Sequence, residues 1–531
     1  MKLFTLLFFV FSTSYLQAQT SNVQTQSTSP VVSTIGTFTH TADIGKPKNA
    51  GAATYDDVTQ TYHLKGSGYN IWFNRDEFRY LYKKIPGDFI VTGNFEFLGE
   101  TGNGHRKIGW MVRESDDESA ASMNAVVHGD GLVVMQWRPL RGAYMRDPED
   151  EVFFPKKAVF QVVQLERKGN LFTMRIANPG EPLQEVATRE LKFRDSVLVG
   201  LYISSHDENK VEEAKVWNVR IDRPVENPYL PNPVLARNAK PFSGEMASRL
   251  EIIDVETGVR KIIHEGNGRF EAPNWMPDGK QLLFNEQGHL YTIPVEGGAP
   301  QQLNTGSANR INNDHGISFD GKMLAISSSI AGKPGGGSTV FVLPLKGGEP
   351  KQVTTETPSY WHGWAPNGKS VAIVAKRNGS NIYNLYSVNV ATGKETALTT
   401  NTTGHVDGPE YSPDGKYIYY NANPTGTMQI WRMKPGGTGR EQLTFDEYHN
   451  WFPHVSPDGK WIAFISFPGD IEPNGHPSYK KVMLRVMPLS QAGAPRVIAY
   501  LYGGQGTLNV NSWSPDSKKL SFVSNSQVKQ N

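Results

Sequence analysis

Five of the chain's 13 histidines, His315, His362, His405, His449 and His454, fall within the ten residues ahead of a recurring turn. Six such windows cover 60 of 531 positions, where even scatter would place about 1.5 histidines. Asp314, Asp407, Glu410 and Asn450 share the windows, as do Trp361 and Trp451. Imidazole and carboxylate trade protons near neutral pH, form hydrogen bonds and ligate divalent metals. Indole adds a flat apolar face for a sugar ring. Three kinds of chemistry are open to this set. The groups could solvate a polar funnel and bond between neighbouring units. They could bind a polar ligand, either a sugar stacked on Trp361 or Trp451 or a peptide segment. Or His315, His362 and His405 or His449 could hold a divalent metal, Mn, Zn or Ca, at which a reaction occurs. Spacings near 45 residues leave open whether the rings converge.

The turn that places them is Pro-Asp-Gly-Lys and its variants. It recurs six times, at Asp278, Asp320, Asn367, Asp414, Asp458 and Asp516, at intervals of 42, 47, 47, 44 and 58 residues. Proline presets φ, aspartate caps its own turn, and glycine accepts positive φ, which together make a hairpin turn. Apolar strands follow, such as Gln281-Leu282-Leu283-Phe284 and Trp461-Ile462-Ala463-Phe464. A third strand, a small turn and a fourth strand ending near Gln302, Gln352 or Gln442 complete each unit. Four strands per unit at this period predict a β-propeller. Leu250–Val255 and Val259–Ile263 read as third and fourth strands with no partners before them, whereas the last unit has only its first two. Joining the two ends closes a ring of six blades and removes a sheet edge. The propeller is expected over residues 247–525, with a tail at 526–531.

These repeats resemble the six-bladed propeller of the TolB family, with its "SPDGK" signature. Phe319 replaces the proline in the second copy and Ser517 the glycine in the last. The resemblance implies a fold that hosts periplasmic adaptors, peptidase side domains and polysaccharide-active proteins. The usual α/β domain of TolB is missing ahead of the repeats, which argues against a true Tol–Pal role. A metal reading has an analogue in oligogalacturonate lyases, propellers with histidine-held metal at the channel, although those have seven blades.

Ahead of the repeats, residues 34–224 carry dense period-two alternation, for example Phe89–Phe97, Gly109–Arg113, Leu171–Ile176 and Val197–Ile203. This pattern predicts a two-sheet β-sandwich. Lys107–Ser115, Val127–Gly131, Leu165–Asn170, Gly200–His206 and Val216–Val219 resemble a concanavalin A/laminin G-like jelly roll of the DUF1349 type. Such domains bind glycans or flank glycan-active modules, so the resemblance implies a sugar-binding role. Trp72, Trp110, Trp137 and Trp217 are expected mostly in its core. His128, Asp130, Arg138 and Arg113 would contact a sugar if one of these tryptophans faced the surface. Prolines at 224, 228, 231, 233 and 241 predict a stiff linker over 225–246.

The N-terminus begins with Lys2, an apolar run from Leu3 to Phe11, and Leu16-Gln17-Ala18. It reads as a signal peptide cleaved near Ala18 or Gln19, followed by a Ser/Thr/Gln spacer over 20–33. A chain without cysteine has no lipoprotein anchor, disulfide, thiolate metal site or cysteine nucleophile. A formal charge of +2 gives no reason to expect nucleic acid or anionic membrane partners. No Gly-x-Ser-x-Gly elbow, phosphate loop or His-Glu-x-x-His occurs. Gly332–Gly337 reads as a hairpin loop. Asp470–Pro477 reads as an insertion whose Asp470, Glu472 and His476 either stay solvated or hold a cation.

The expectation is an all-β exported protein, periplasmic or secreted, with a jelly roll joined to a six-bladed propeller. Its channel mouth would carry Asp314, His315, Trp361, His362, His405, Asp407, Glu410, His449, Trp451 and His454 and recognise an envelope protein or polysaccharide. The alternative is a metal-dependent lyase or glycoside hydrolase at the same mouth.

Overall fold

The computed structural model describes residues 34–99, 102–145, 161–225, 246–333, 335–401, 403–490 and 493–528. The signal peptide, the spacer and nearly all of the linker expected from the sequence lie outside the described residues. Among the described residues the only helix is a 3-10 turn at Gly335–Gly337, and no helix is long and apolar enough to cross a membrane.

Alternation builds the N-terminal unit. One antiparallel sheet has six strands in the order His40–Ile44, Phe78–Pro86, Ser196–Ser204, Lys107–Arg113, Ser122–His128, Val133–Arg138. A second has seven, with Phe89–Leu98 and Asp207–Asp222 at its centre. Their inward residues share one core, in which Leu81, Trp110, Val112 and Leu201 of the first sheet meet Val91, Phe95, Leu165 and Val216 of the second. The Trp110 indole donates 3.1 Å across the gap to the Val163 carbonyl, so its one polar atom is satisfied in the core. Trp137 is also buried, whereas Trp72 and Trp217 are half-buried. The sequence offered Arg113 and Arg138 as sugar contacts, but both are fully buried on Asp76, at 2.6 Å and 2.5 Å. A buried carboxylate takes both guanidiniums because an unpaired charge there would be costly.

Six further sheets form the propeller. The innermost strands of blades 1 to 5 are Phe270–Trp275, Ile311–Ile317, Ser359–Trp364, Val406–Tyr411 and His449–Val455. Each leads a four-stranded antiparallel sheet. Blade 6 is assembled from both ends, since Lys519–Gln527 pairs along its whole length with Met246–Asp254, which pairs with Arg260–Asn267. Its expected innermost strand is only a single bridge, Trp513 to Leu520. Just ahead of it Gly504 and Gly506, at φ of 123° and 94°, turn the chain.

The repeat turns behave as hairpin caps. Asp278, Asp320, Asn367, Asp414, Asp458 and Asp516 each accept from the backbone N–H two residues on, at 2.9–3.1 Å. The two units meet along blades 5 and 6. Arg220 and Arg260 share the fully buried Glu251, at 2.5 Å and 2.8 Å, and Arg249 holds Asp222 at 2.5 Å. Gln60 exchanges two hydrogen bonds with the backbone of Ile262.

Candidate functional site

Position within the repeat decides which side chains reach the channel. Seven residues before each repeat Asp or Asn stand Glu271, Asn313, Tyr360, Asp407, Trp451 and Asn509. All but Trp451 line a cavity of about 370 Å³ at the end of the channel opposite the repeat turns. Trp451 packs behind its wall, with ring centroids 4.4 Å from His476 and 5.6 Å from His405.

A kink in every innermost strand produces this selection. Strand pairing slips between Glu271 and Asn274, Ile311 and His315, Trp361 and Gly363, Asp407 and Glu410, and Trp451 and His454. Ala272, Gly408 and Phe452 sit at the slip with φ of 54°, 61° and 54°. A bulge of this kind re-aims the side chains on its two sides. In blade 4 the bulge leaves Asp407, ahead of it, facing the mouth and Glu410, after it, facing the neighbouring blade.

Asp407 is the hub. Its Oδ1 lies 3.0 Å from His362 Nε2, and its Oδ2 lies 3.6 Å from His405 Nε2 and 3.9 Å from His476 Nε2. Its Oδ1 also accepts from the Gly408 N–H at 2.8 Å. Burial works against the charged form, but His362 and then His405 hold the Asp407 carboxyl well below its usual range. Burial likewise opposes a charged His362, yet the Asp407 hydrogen bond and charge raise its pKa. Asp314 has no such donor. Burial, reinforced by Asp407 and Glu271 against the pull of His362, pushes it up to about 7. His476 is shifted down by burial, and its Nδ1 bonds the Gln505 amide oxygen. Arg269 pairs with Glu271 at 2.6 Å. Tyr360, Tyr383 and Phe452 complete the lining with aromatic faces. His405 Nε2 and Trp451 Nε1 are buried without a hydrogen-bond partner.

Of the sequence-predicted residues, Asp314, His362, His405 and Asp407 come together around this cavity, with Trp451 behind them. The others do not. The whole predicted set was expected in loops ahead of the innermost strands, but all except His405 lie within those strands, where alternation turns half of them away. His315 is fully buried between blades, with neither ring nitrogen bonded, and burial pushes it down to about 3. The Trp361 indole lies over Gly316, where a Cβ would stand 2.1 Å from its ring. His454 and Glu410 bond each other at 2.6 Å between blades 4 and 5. His449 Nδ1 accepts from the Met428 N–H at 3.3 Å, away from the cavity. The proposed metal set of His315, His362, His405 and His449 is therefore not assembled. Among the described residues no three His, Asp or Glu side chains are placed to hold a metal ion.

His476 is the main residue the sequence reading left outside the mouth. It belongs to the insertion of blade 5, where Asp470 and Glu472 are exposed while His476 folds inward. The long 58-residue interval was its signal. Gln505 and Asn509 were equally hidden, because they come from the turn that replaces the innermost strand of blade 6.

Comparison with known proteins agrees with the propeller. The PD40 family, described as the TolB beta propeller domain, matches residues 361–473. The uncharacterized protein Atu1656 of Agrobacterium fabrum is 41% identical over 281 residues, spanning 53% of this chain and 93% of that protein. The chain belongs to the family of Atu1656. A solved structure of a candidate TolB from Agrobacterium tumefaciens is 41% identical, with a TM-score of 0.50, and covers 54% of this chain and all of that one. The Tol-Pal system protein TolB of Francisella tularensis is 26% identical over 214 residues, 39% of this chain and 47% of that protein. The chain thus spans about half the length of that TolB. The match to the Atu1656 family covers about half of this chain.

Proposed function

We propose that this is an exported, periplasmic or secreted binding protein whose TolB-like propeller recognises an envelope polysaccharide or protein. One polar unit of the ligand enters the mouth over Asp407. The N-terminal unit, read as a concanavalin A/laminin G-like jelly roll, flanks the propeller and adds a second glycan-facing module. The supporting observation is the hub itself. An ionised carboxylate, three imidazoles and three aromatic faces converge in a cavity of about 370 Å³. Hydroxyl or amine donors on a ligand satisfy Asp407, an acceptor satisfies His405 Nε2, and an apolar ring face meets Tyr360, Tyr383 or Phe452.

Glycan arrays and pull-downs from envelope extracts, run with the wild type and Asp407→Asn, test this reading. A ligand retained by the wild type and lost by the variant supports it. Equal retention by both places the binding elsewhere and overturns it. Elemental analysis beside a His362→Ala, His405→Ala double variant decides the alternative. A stoichiometric metal that the variant loses would replace this reading with a metal-dependent carbohydrate-active enzyme.

A further inference from the structure

A second cavity, of about 720 Å³, lies where the N-terminal unit meets blade 6. Its wall carries five cations, Lys83, Lys84, Arg220, Arg223 and Arg249. Two are already neutralised, Arg220 by Glu251 and Arg249 by Asp222 and Glu265. The other three make no ion pair among the described residues. Lys83 is half-buried, and its one polar side-chain contact is Thr37 Oγ1 at 3.4 Å. Arg223 Nε is buried with no hydrogen-bond partner. Of the two carboxylates lining the cleft, Glu265 is engaged by Arg249, which leaves Asp57 alone against three free cations.

A cleft with surplus, partly desolvated positive charge gains most from an anion that brings its own acceptor oxygens. Tyr55 packs on Tyr62 at 4.6 Å beside these cations, offering an aromatic wall to a ring. We infer that this seam binds an acidic oligosaccharide, with its carboxylate or sulfate groups on Lys83, Lys84 and Arg223 and a sugar face toward Tyr55. The inference does not depend on the channel mouth.

Isothermal titration at low ionic strength tests it with an oligogalacturonate, a sulfated oligosaccharide, a neutral dextran oligomer and a single-stranded DNA oligonucleotide. The proteins are the wild type, Lys83→Ala/Arg223→Ala, the exposed-site variant Lys84→Glu, and Lys416→Glu on a distant turn as control. Thermal melting confirms that each variant is folded. The expected result is binding of one or both acidic sugars, weakened about tenfold or more by the double variant and by Lys84→Glu, and unchanged by Lys416→Glu. The uronate and sulfate arms show which anion is preferred. No binding of either acidic sugar, equal binding by all four proteins, or DNA binding as tight as the sugars would each overturn the proposal.

Discussion

Two buried histidine–carboxylate pairs lie on adjacent blades, and only one of them faces the cavity. His362 and Asp407 stand 3.0 Å apart at the mouth, with His405 and His476 close by. His454 and Glu410 stand 2.6 Å apart between blades 4 and 5. The second pair is saturated. Glu410 Oε1 accepts from the Val455 N–H at 3.1 Å and the Asn511 amide at 2.7 Å, and His454 Nε2 bonds the Leu508 carbonyl at 3.2 Å. At the first pair, by contrast, His405 Nε2 is left unbonded. Asp407 and Glu410 are three residues apart on one strand with a bulge between them. Similar chemistry thus lines the cavity ahead of the bulge and bonds blade to blade after it.

If that division holds, the largest effect on stability comes from the saturated pair. Glu410→Ala strands His454, Asn511 and the Val455 N–H in the interior and is expected to cost roughly 3–5 kcal/mol. Denaturant unfolding would measure it, and a loss below about 1 kcal/mol would break the comparison. Asp407→Asn should do the reverse. Ligand affinity falls about tenfold or more, while stability falls by only about 1–3 kcal/mol. Calorimetry on the ligand found by array or pull-down gives the first number and unfolding the second.

The mouth also sets a pH dependence with a definite sign. Asp314 has a folded pKa raised to about 7, so the native state holds its proton more tightly than the unfolded chain does. Its contribution is complete below the ordinary aspartate value and is lost as pH rises toward about 7. The raised His362 adds a loss in the same direction above the ordinary histidine range. Asp407, held low, contributes above the ordinary aspartate value and loses that contribution only on strong acidification. From the ordinary aspartate value up to about pH 7 the wild type should therefore lose melting temperature relative to Asp314→Asn, whose curve against pH lacks this contribution. An unchanged slope in the variant would remove Asp314 from the account. The smallest effect is expected at the rim. Lys416 and Asp414 pair at 3.0 Å in full solvent, and Lys416→Ala should leave the melting curve unmoved, because exposed pairs are screened.

The sequence made the ring legible because its information there is local and periodic. A Pro-Asp-Gly turn carries its own conformational instruction, and the orphan strands at Leu250 and Leu520 announce each other. The mouth was half legible. Asp314, His362, His405 and Asp407 were found through enrichment near the turn, but His315, Trp361 and Glu410 met the same criterion and belong to the scaffold. Separating them needs the alternation of each strand together with its bulge. At blades 1 and 5 the bulge carries Ala272 and Phe452 at positive φ, residues that give no hint of such a conformation. His476 was missed as a mouth residue because nothing in an insertion's sequence says which way it folds.

The pairing of Met246–Asp254 with Lys519–Gln527 governs when the site comes into being. About 270 residues separate the partners, so closing the ring is a late and entropically costly step. Until Lys519–Gln527 arrives, blade 6 has no strand on its inner side and the circle stays open. Asn509 and Gln505, just upstream of that strand, are then unanchored, and His476 lacks its partner Gln505. A chain synthesised from its N-terminus therefore has no complete mouth until its last strand has emerged. The cavity is complete only once the last blade is zipped, so its formation reports the closure of the whole ring.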